Sequence, residues 1–364
     1  MKGGNSRRKD LLADLLISLA SGAILALGAK ALAAVVLPDL SEWPANWPFV
    51  AAAPVAALLV FFFTRHLYGG ADRAFVVVSA FTQTRWLGDL LDHLSRVLDR
   101  HGIDMVVKLS PHDHSGRSQL AHLTALRRRR RSYVGGFIVP AQPEAMESEL
   151  TAFCRAVHRP VVFMDVRPFP VPKKYPPDTT FVGCDPNEIG AKAARWVAKE
   201  MTGRGVESPS VLVLGGDSQA GRQTMFAERL KELLPSAETE VNLLGLFSRE
   251  RTREIVGHHL RRLRPGGRVN AIFCTNDEMA LGTVDAVQEH EAAGGRLDDL
   301  VIIGVDGIAE AIAVINVDAT PFRATIQQDP RRIAEVAVDA LLKMRSGERV
   351  PQEIFIPASV YPRQ

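Results

Sequence analysis

The chain has 364 residues, 46% of them hydrophobic and 23% charged, and its 44 Lys and Arg against 41 Asp and Glu leave a formal net charge of +3. This balance excludes collagen-like, acidic-tail and disordered classes, and so small a net charge gives no argument for direct nucleic-acid binding. The length predicts about two to three domains. The three cysteines, Cys154, Cys184 and Cys274, show no CxxC spacing, so we interpret them as buried thiols without a metal or disulfide role.

Two apolar runs, 11–37 and 48–64, lie near the N-terminus. As a helix, the first is long enough to cross a hydrocarbon layer of about 30 Å. The second is shorter, but Trp43 and Trp47 precede it, and tryptophan is typical of the headgroup level of a membrane. We therefore predict that residues 1–72 form a membrane anchor of two transmembrane helices joined by a proline-rich turn.

The basic residues around these runs predict their orientation. They precede the first run and follow the second, at Lys2, Arg7, Arg8, Lys9, Arg65 and Arg73. Because Lys and Arg favour the cytoplasmic side, both ends of the anchor are expected there, with the remaining domain cytoplasmic at the cell membrane. The alternative is a secretory signal cleaved near Ala29-Lys30-Ala31. An extracytoplasmic domain would require a single crossing.

Beyond residue 72 the pattern changes to short apolar runs that alternate with stretches of helical period. The runs are AFVVVS (74–79), IDMVVKL (103–109), GGFIVP (135–140), PVVFMD (160–165), TTFVG (179–183), SVLVLGG (210–216), NAIFCTN (270–276), LVIIGVD (300–306) and RATI (323–326). Continuous apolar strands alternating with helices are typical of parallel sheets covered on both faces. We predict an α/β fold of two Rossmann-like lobes with a cleft between them.

Ligands of such sheets bind beyond the carboxyl ends of the strands, so the residues that follow the strands are the candidate site. Those we select are Gln83, Arg85, Trp86, Asp165, Arg222, Asn276, Asp306 and Gln328. Carboxylates, amides and guanidinium groups form paired hydrogen bonds with neighbouring hydroxyls, and an indole covers an apolar ring face. The set therefore predicts a polyhydroxylated ligand. Asp277 is equally well explained as an acid at a helix N-terminus, and Asp185 as an N-cap.

Four segments resemble motifs of the type 1 periplasmic binding proteins, the family of ribose- and galactose-binding proteins and of the Lac-repressor ligand-binding core. They are FVGCDPNEIGAKAARWV, AIFCTNDEMALGTVDAV, VIIGVDGIAEA and ATIQQDPRRIAEVAVDALL, at 181–197, 271–287, 301–311 and 324–342. The resemblance runs from about Arg73 to the C-terminus. It implies a binding domain over 73–364, with an N-lobe of 73–184 and 329–357 and a C-lobe of 185–328 and 358–364.

The same resemblance implies a function. Positions matching Asn276, Asp306 and Gln328 contact sugar in the family, as does an aspartate matching Asp165; Arg222 and Trp86 match a family arginine and a stacking aromatic. We expect a non-catalytic, membrane-anchored sensor that closes on a carbohydrate-like ligand, without metal or cofactor, and signals through a membrane partner. The alternatives are an extracytoplasmic solute-binding component of a sugar ABC transporter, and a Lac-repressor-like regulator core that lacks its DNA-binding domain.

Three weaker signals in the sequence do not alter this expectation. The run from Gly216 to Gln223 imitates a P-loop, but Arg222 and Gln223 replace the lysine and the hydroxyl residue that such a loop needs. His112 and His114 lie in a polar loop and are expected in solvent. The arginine block Arg127–Arg131 fits the exposed C-terminal end of a helix, and contact with anionic lipid is the alternative.

Overall fold

The computed structural model describes residues 72–78, 84–109, 116–216, 220–263, 267–297, 299–317 and 319–362. The two predicted transmembrane helices lie outside these residues, as do Gln83, His112 and His114. No helix within the described ranges is long and apolar enough to cross a membrane.

The first of two sheets forms the N-lobe, and its six strands are all parallel. The order is β11-β5-β4-β3-β1-β2, with strands numbered along the chain. Their bounds are β1 Asp72–Val78, β2 Ile103–Leu109, β3 Gly135–Ile138, β4 Val161–Met164, β5 Thr179–Gly183 and β11 Glu353–Phe355.

The second sheet forms the C-lobe in the order β12-β10-β9-β8-β6-β7, and β12 alone is antiparallel to its neighbour. Its strands are β6 Ser210–Leu214, β7 Glu238–Asn242, β8 Ala271–Cys274, β9 Val301–Asp306, β10 Phe322–Gln327 and β12 Ser359–Tyr361. Each apolar run predicted as a strand is one, so the two-lobed α/β fold is confirmed. The sequence did not predict β7, β11 and β12.

Helices cover both faces of the sheets. They are α1 Arg85–Arg100, α2 Arg117–Arg128, α3 Pro143–Val157, α4 Pro186–Gly203, α5 Ala220–Leu233, α6 Arg249–Arg261, α7 Asp277–Ala292, α8 Ala309–Val317 and α9 Pro330–Arg345. Successive side chains of β1 enter different cores: Val76 packs in the cluster that contains α1 and α9 residues, and Val77 in the cluster that contains α2 and α3 residues. A parallel strand buried on both faces explains why the sequence reads as a continuous apolar run.

The cysteines lie inside these cores, as predicted. Burial raises the pKa of Cys184 and of Cys274 to about 12, and that of Cys154 also rises. All three thiols therefore stay protonated at neutral pH, and they are not nucleophiles in this state.

The described chain crosses between the lobes after β5, after β10 and between β11 and β12. An Asp-Pro pair starts the helix after each of the first two crossings. Asp185 accepts a hydrogen bond from the Asn187 N–H (2.9 Å), and Asp329 accepts one from the Arg332 N–H (2.9 Å). The N-cap predicted for Asp185 is confirmed. Proline suits the next position because its fixed φ matches the helix and it has no N–H to satisfy.

Glycine allows α4 and α5 to pack closely. A Cβ atom on Gly190 of α4 would clash with the backbone carbonyl oxygen of Arg222 in α5. This close approach positions the first turn of α5, which carries one of the candidate ligand residues.

We predict that Gly190→Ala lowers the free energy of unfolding by about 1–3 kcal/mol, because α5 must shift away from α4. Urea titration of a 72–364 fragment measures it; these residues form a compact unit that contains both sheets. Gly88→Ala in α1 is the control, since its added Cβ meets no atom within 4 Å and should stabilise by about 0.5–1 kcal/mol. Equal effects of the two changes would contradict this account.

Candidate ligand-binding cleft

A buried arginine bridges the two lobes. Arg222, near the start of α5, is 3% exposed, and its guanidinium lies between two carboxylates. Its Nη2 is 3.8 Å from Oδ1 of Asp165, which follows β4 of the N-lobe, and its Nη1 is 4.0 Å from Oδ1 of Asp306, which ends β9 of the C-lobe. The predicted residues Arg222, Asp165 and Asp306 therefore do come together, at the carboxyl ends of strands from both sheets.

The guanidinium is only partly satisfied. Nη1 donates a hydrogen bond to the carbonyl oxygen of Thr275 (2.7 Å). Nε of Arg222 and Oγ1 of Thr275 are both buried and find no hydrogen-bond partner among the described residues. Buried polar atoms are nearly always paired, so two such atoms without a partner mark this as an unusual site.

Asp306 is held in place by the segment that follows the next strand. Its Oδ1 accepts a hydrogen bond from Nε2 of Gln328 (2.8 Å), and its carbonyl oxygen accepts one from the Gln328 N–H (3.1 Å). Burial raises the pKa of Asp306 well above its usual range, while the nearby Arg222 charge opposes this shift. The Asp306 backbone has a φ of +115°, which is strained for a residue with a side chain.

Trp86 joins the N-lobe to this segment. Its Nε1 donates to the carbonyl oxygen of Gln328 (3.4 Å), and the side chain is 4% exposed within the larger core cluster. In the structure as it stands the indole therefore packs in the core, and its predicted stacking on a ligand stays a prediction.

Asp277 supports the turn after Asp306. Its buried carboxylate accepts hydrogen bonds from the Gly307 N–H (2.7 Å), the Ile308 N–H (2.9 Å) and the Thr325 hydroxyl (2.7 Å). Of its two proposed roles the structure shows the one at a helix N-terminus, since Asp277 begins α7. Burial raises its pKa to about 7, although the three donors act in the opposite direction.

Asn276 is the N-cap of α7. Its Oδ1 accepts from the Met279 N–H (3.0 Å), and its Nδ2 donates to the carbonyl oxygen of Phe247 (3.4 Å). Both ends of the amide thus have protein partners, and a ligand contact would share or replace the longer bond.

Arg85 takes part in a second, more exposed bridge at the edge of the cleft. As the first residue of α1, it lies in the N-lobe, and it pairs with Glu310 of α8 and, at 3.9 Å, with Glu278 of α7. Arg249 of α6 also binds Glu310 (2.9 Å) and forms two bonds to Asp285 (2.7 and 2.9 Å). We name this cluster the outer charge network.

An open cavity of about 210 Å³ lies beside Asp165, between the lobes. The N-lobe lines it with Asp165, Val166, Pro168 and Phe169, among others, and the C-lobe with Pro186, Asn187 and Gly221. The carboxylate that faces Arg222 thus also borders space that a ligand can occupy.

Sequence reasoning missed Glu310 and Arg249, which complete the outer charge network. Glu310 lies four residues after the end of β9, so a search for polar residues beyond strand ends would have found it had it extended four residues further. Arg249 follows no strand end, and only the packing of α6 on α7 brings it to Asp285. Gln83 lies outside the described residues.

Comparison with known proteins agrees with this geometry. Residues 75–349 match the Periplasmic binding protein domain family. The chain belongs to that family, and its type 1 fold is the one seen here: two parallel-sheet lobes joined by three crossings, with polar side chains between them.

Curated relatives include the D-allose-binding periplasmic protein of Escherichia coli K12, 28% identical over 178 residues that cover 47% of this chain and 52% of that protein. The galactofuranose-binding protein of the same organism is 25% identical over 166 residues, covering 45% and 50%. The chain thus spans about half the length of these relatives. A solute-binding protein of Actinobacillus succinogenes, solved with D-allose, has a TM-score of 0.67 at 18% identity and covers 79% of this chain and 96% of that one.

We predict a pH effect from Asp277. With its folded-state pKa near 7 and a reference value of 3.8, the folded state keeps a proton that the unfolded chain has lost between these values. The free energy of unfolding should therefore fall as the pH rises through this window, by up to about 1.4 kcal/mol per pH unit. Asp277→Asn should lack this component in urea titrations of the 72–364 fragment.

The matched control is Asp92→Asn, the same change at an exposed position of α1, which should keep the wild-type slope. Parallel curves for wild type and Asp277→Asn would mean that the three donors keep the carboxylate ionised, and the prediction would be wrong.

Proposed function

We propose that the domain binds a sugar or polyol between its lobes, without chemical conversion. The observation that carries this proposal is the Arg222 guanidinium between Asp165 and Asp306, with a buried donor that no described residue satisfies. Hydroxyl groups suit this site because each can donate to a carboxylate and accept from the guanidinium. The names of the relatives, which bind allose and galactofuranose, support the same class of ligand.

The two lobes contribute different parts of the site. Asp165 comes from the N-lobe, whereas Arg222, Asp306 and Gln328 come from the C-lobe side of the cleft. A ligand that contacts both sides stabilises the closed arrangement by the difference between its affinities for the closed and open forms. Lobe closure is therefore the output of binding that a partner protein can detect.

For the wider role, we propose a solute-binding component that presents its ligand to an ABC transporter outside the cytoplasm. The relatives support this reading better than our first expectation of a cytoplasmic sensor. The sensor is the second candidate, and the Lys and Arg residues on both outer flanks of the predicted anchor favour it. In either case the segment before β1 is proposed to attach the domain to the membrane, with two crossings for the sensor and one for the transporter component.

Isothermal titration of the 72–364 fragment with pentoses, hexoses, polyols and nucleosides tests the binding proposal. We expect a member of the first three groups to bind. Asp306→Asn should weaken that ligand by about 10–100-fold, because it replaces a carboxyl oxygen that accepts hydrogen bonds with an amide group that can only donate. Asp92→Asn is the matched control and should leave the affinity unchanged.

Asn276→Ala needs its own control, since it also removes a helix cap worth about 1 kcal/mol. Ser248→Ala removes the N-cap of α6, where Ser248 accepts from the Arg251 N–H (3.3 Å). A loss of affinity only in Asn276→Ala assigns the amide to the ligand. Binding of nucleosides alone, or unchanged affinity in Asp306→Asn, would overturn the proposed ligand class or site.

The location is tested by cysteine labelling in cells. The native thiols are all buried, so Ala292→Cys, at an exposed position ending α7, provides an accessible thiol. For the transporter component, a membrane-impermeant maleimide should label the full chain in intact spheroplasts as completely as after lysis. Labelling only after lysis would place the domain in the cytoplasm and favour the sensor.

A further inference from the structure

A strongly basic surface occupies one end of the N-lobe. Arg127–Arg131 are all exposed, and so are Arg155 near the end of α3 and Arg159 just before β4. The two groups adjoin, because Nη1 of Arg130 donates to the carbonyl oxygen of Ala156 (3.0 Å). We name these seven arginines the arginine face.

The helix dipole explains only part of this surface. Arg127 and Arg128 lie in the last turn of α2, where cations are favourable. The arginines from 129 to 131 lie beyond the end of α2. Within the described residues, none of Arg127–Arg131 forms an ion pair with a carboxylate, whereas Lys174 and Arg345, for example, pair with Glu147 and Asp72. Five adjacent like charges without counter-ions repel one another, so they indicate an anionic partner.

The arginine face lies close to the first strand of the domain. β1 begins at Asp72, and the carbonyl oxygen of Arg73 accepts a hydrogen bond from the Val134 N–H (2.9 Å), two residues after the turn that ends the arginine block. In the sequence, residues 65–71 separate the predicted second span from β1, and seven residues reach at most about 25 Å when extended.

We propose that the arginine face binds an anionic phospholipid surface. The cleft residues follow the carboxyl ends of the strands, whereas the arginine face lies at their amino ends, so both surfaces can be used at the same time. A basic residue near an anionic bilayer contributes about fivefold in affinity. The contact would orient the domain with its cleft directed away from the membrane, and it does not depend on which ligand the cleft takes.

Vesicle co-sedimentation of the 72–364 fragment tests this proposal. Residues 72–364 form one compact unit, and a solved solute-binding protein matches 79% of this chain over 96% of its own length, which supports folding of the fragment alone. We expect binding to vesicles of equal parts phosphatidylglycerol and phosphatidylcholine, little binding to phosphatidylcholine alone, and loss of binding in high salt. Replacing Arg127, Arg128, Arg129 and Arg131 with Gln should weaken binding by at least about tenfold; Arg130 is kept because it bonds α3.

A C-lobe variant with the same loss of charge is the matched control. It replaces four exposed arginines with Gln: Arg261, Arg262, Arg268 and Arg296. Circular dichroism and unfolding midpoints check that both variants fold. If the control loses as much vesicle binding, the effect comes from net charge and not from the arginine face, and the proposal is wrong. The proposal is also wrong if the wild type does not bind anionic vesicles.

A dye attached beside the arginine face tests whether this surface itself contacts the membrane. A solvatochromic dye on Ser132→Cys, exposed beside the arginine block, should shift to shorter wavelength with anionic vesicles, and the same dye on Ala292→Cys should not. Binding of a short DNA duplex to the arginine face, with no response to vesicles, would assign the surface to nucleic acid and refute the lipid proposal.

Discussion

One buried charge links the two lobes of this domain. Removing a guanidinium from water costs several kcal/mol, and nearby opposite charges must offset that cost. Arg222 meets this need with Asp165 from one lobe and Asp306 from the other, so opening the lobes would separate one of its two carboxylates. Neither contact is a close ion pair, and Nε has no described partner, so the charge is only partly compensated. A hydroxylated guest that bonds these groups would complete the compensation and thereby favour closure.

The backbone is strained at the same two residues, Asp165 and Asp306. Asp165 has a φ of +62° and Asp306 a φ of +115°, both in a backbone region that residues other than glycine rarely adopt. At Asp306 the supporting contacts are clear: Asp277 binds the next two backbone N–H groups, and Gln328 binds the Asp306 side chain. Strain of this kind persists only where the surroundings enforce it, and it is common at binding sites.

The sequence predicted the parts of this fold that depend on local pattern. The long parallel strands are buried on both faces, so each appears in the sequence as a continuous apolar run that predicts a strand. The Asp-Pro pair at 185–186 predicted a helix start. β7 was missed because its sequence, Glu-Thr-Glu-Val-Asn, is polar and lies on an exposed edge of the sheet. β11 and β12 have three residues each, too few for a periodic pattern. The sequence does not decide the role of Asp277, because its partners come from the turn after β9 and from β10, and only tertiary structure brings them together.

The inner and outer bridges differ in what they can contribute to closure. Arg85 is half exposed, and such ion pairs are worth about 0–1 kcal/mol because water and salt screen them. Its acidic partner Glu310 is shared with Arg249, so opening the cleft would leave that carboxylate still paired within the C-lobe. The outer charge network therefore loses little on opening, whereas Arg222 loses one of its two buried counter-charges. We therefore propose that the coupling between ligand and closure is concentrated at Arg222 rather than at the more exposed Arg85.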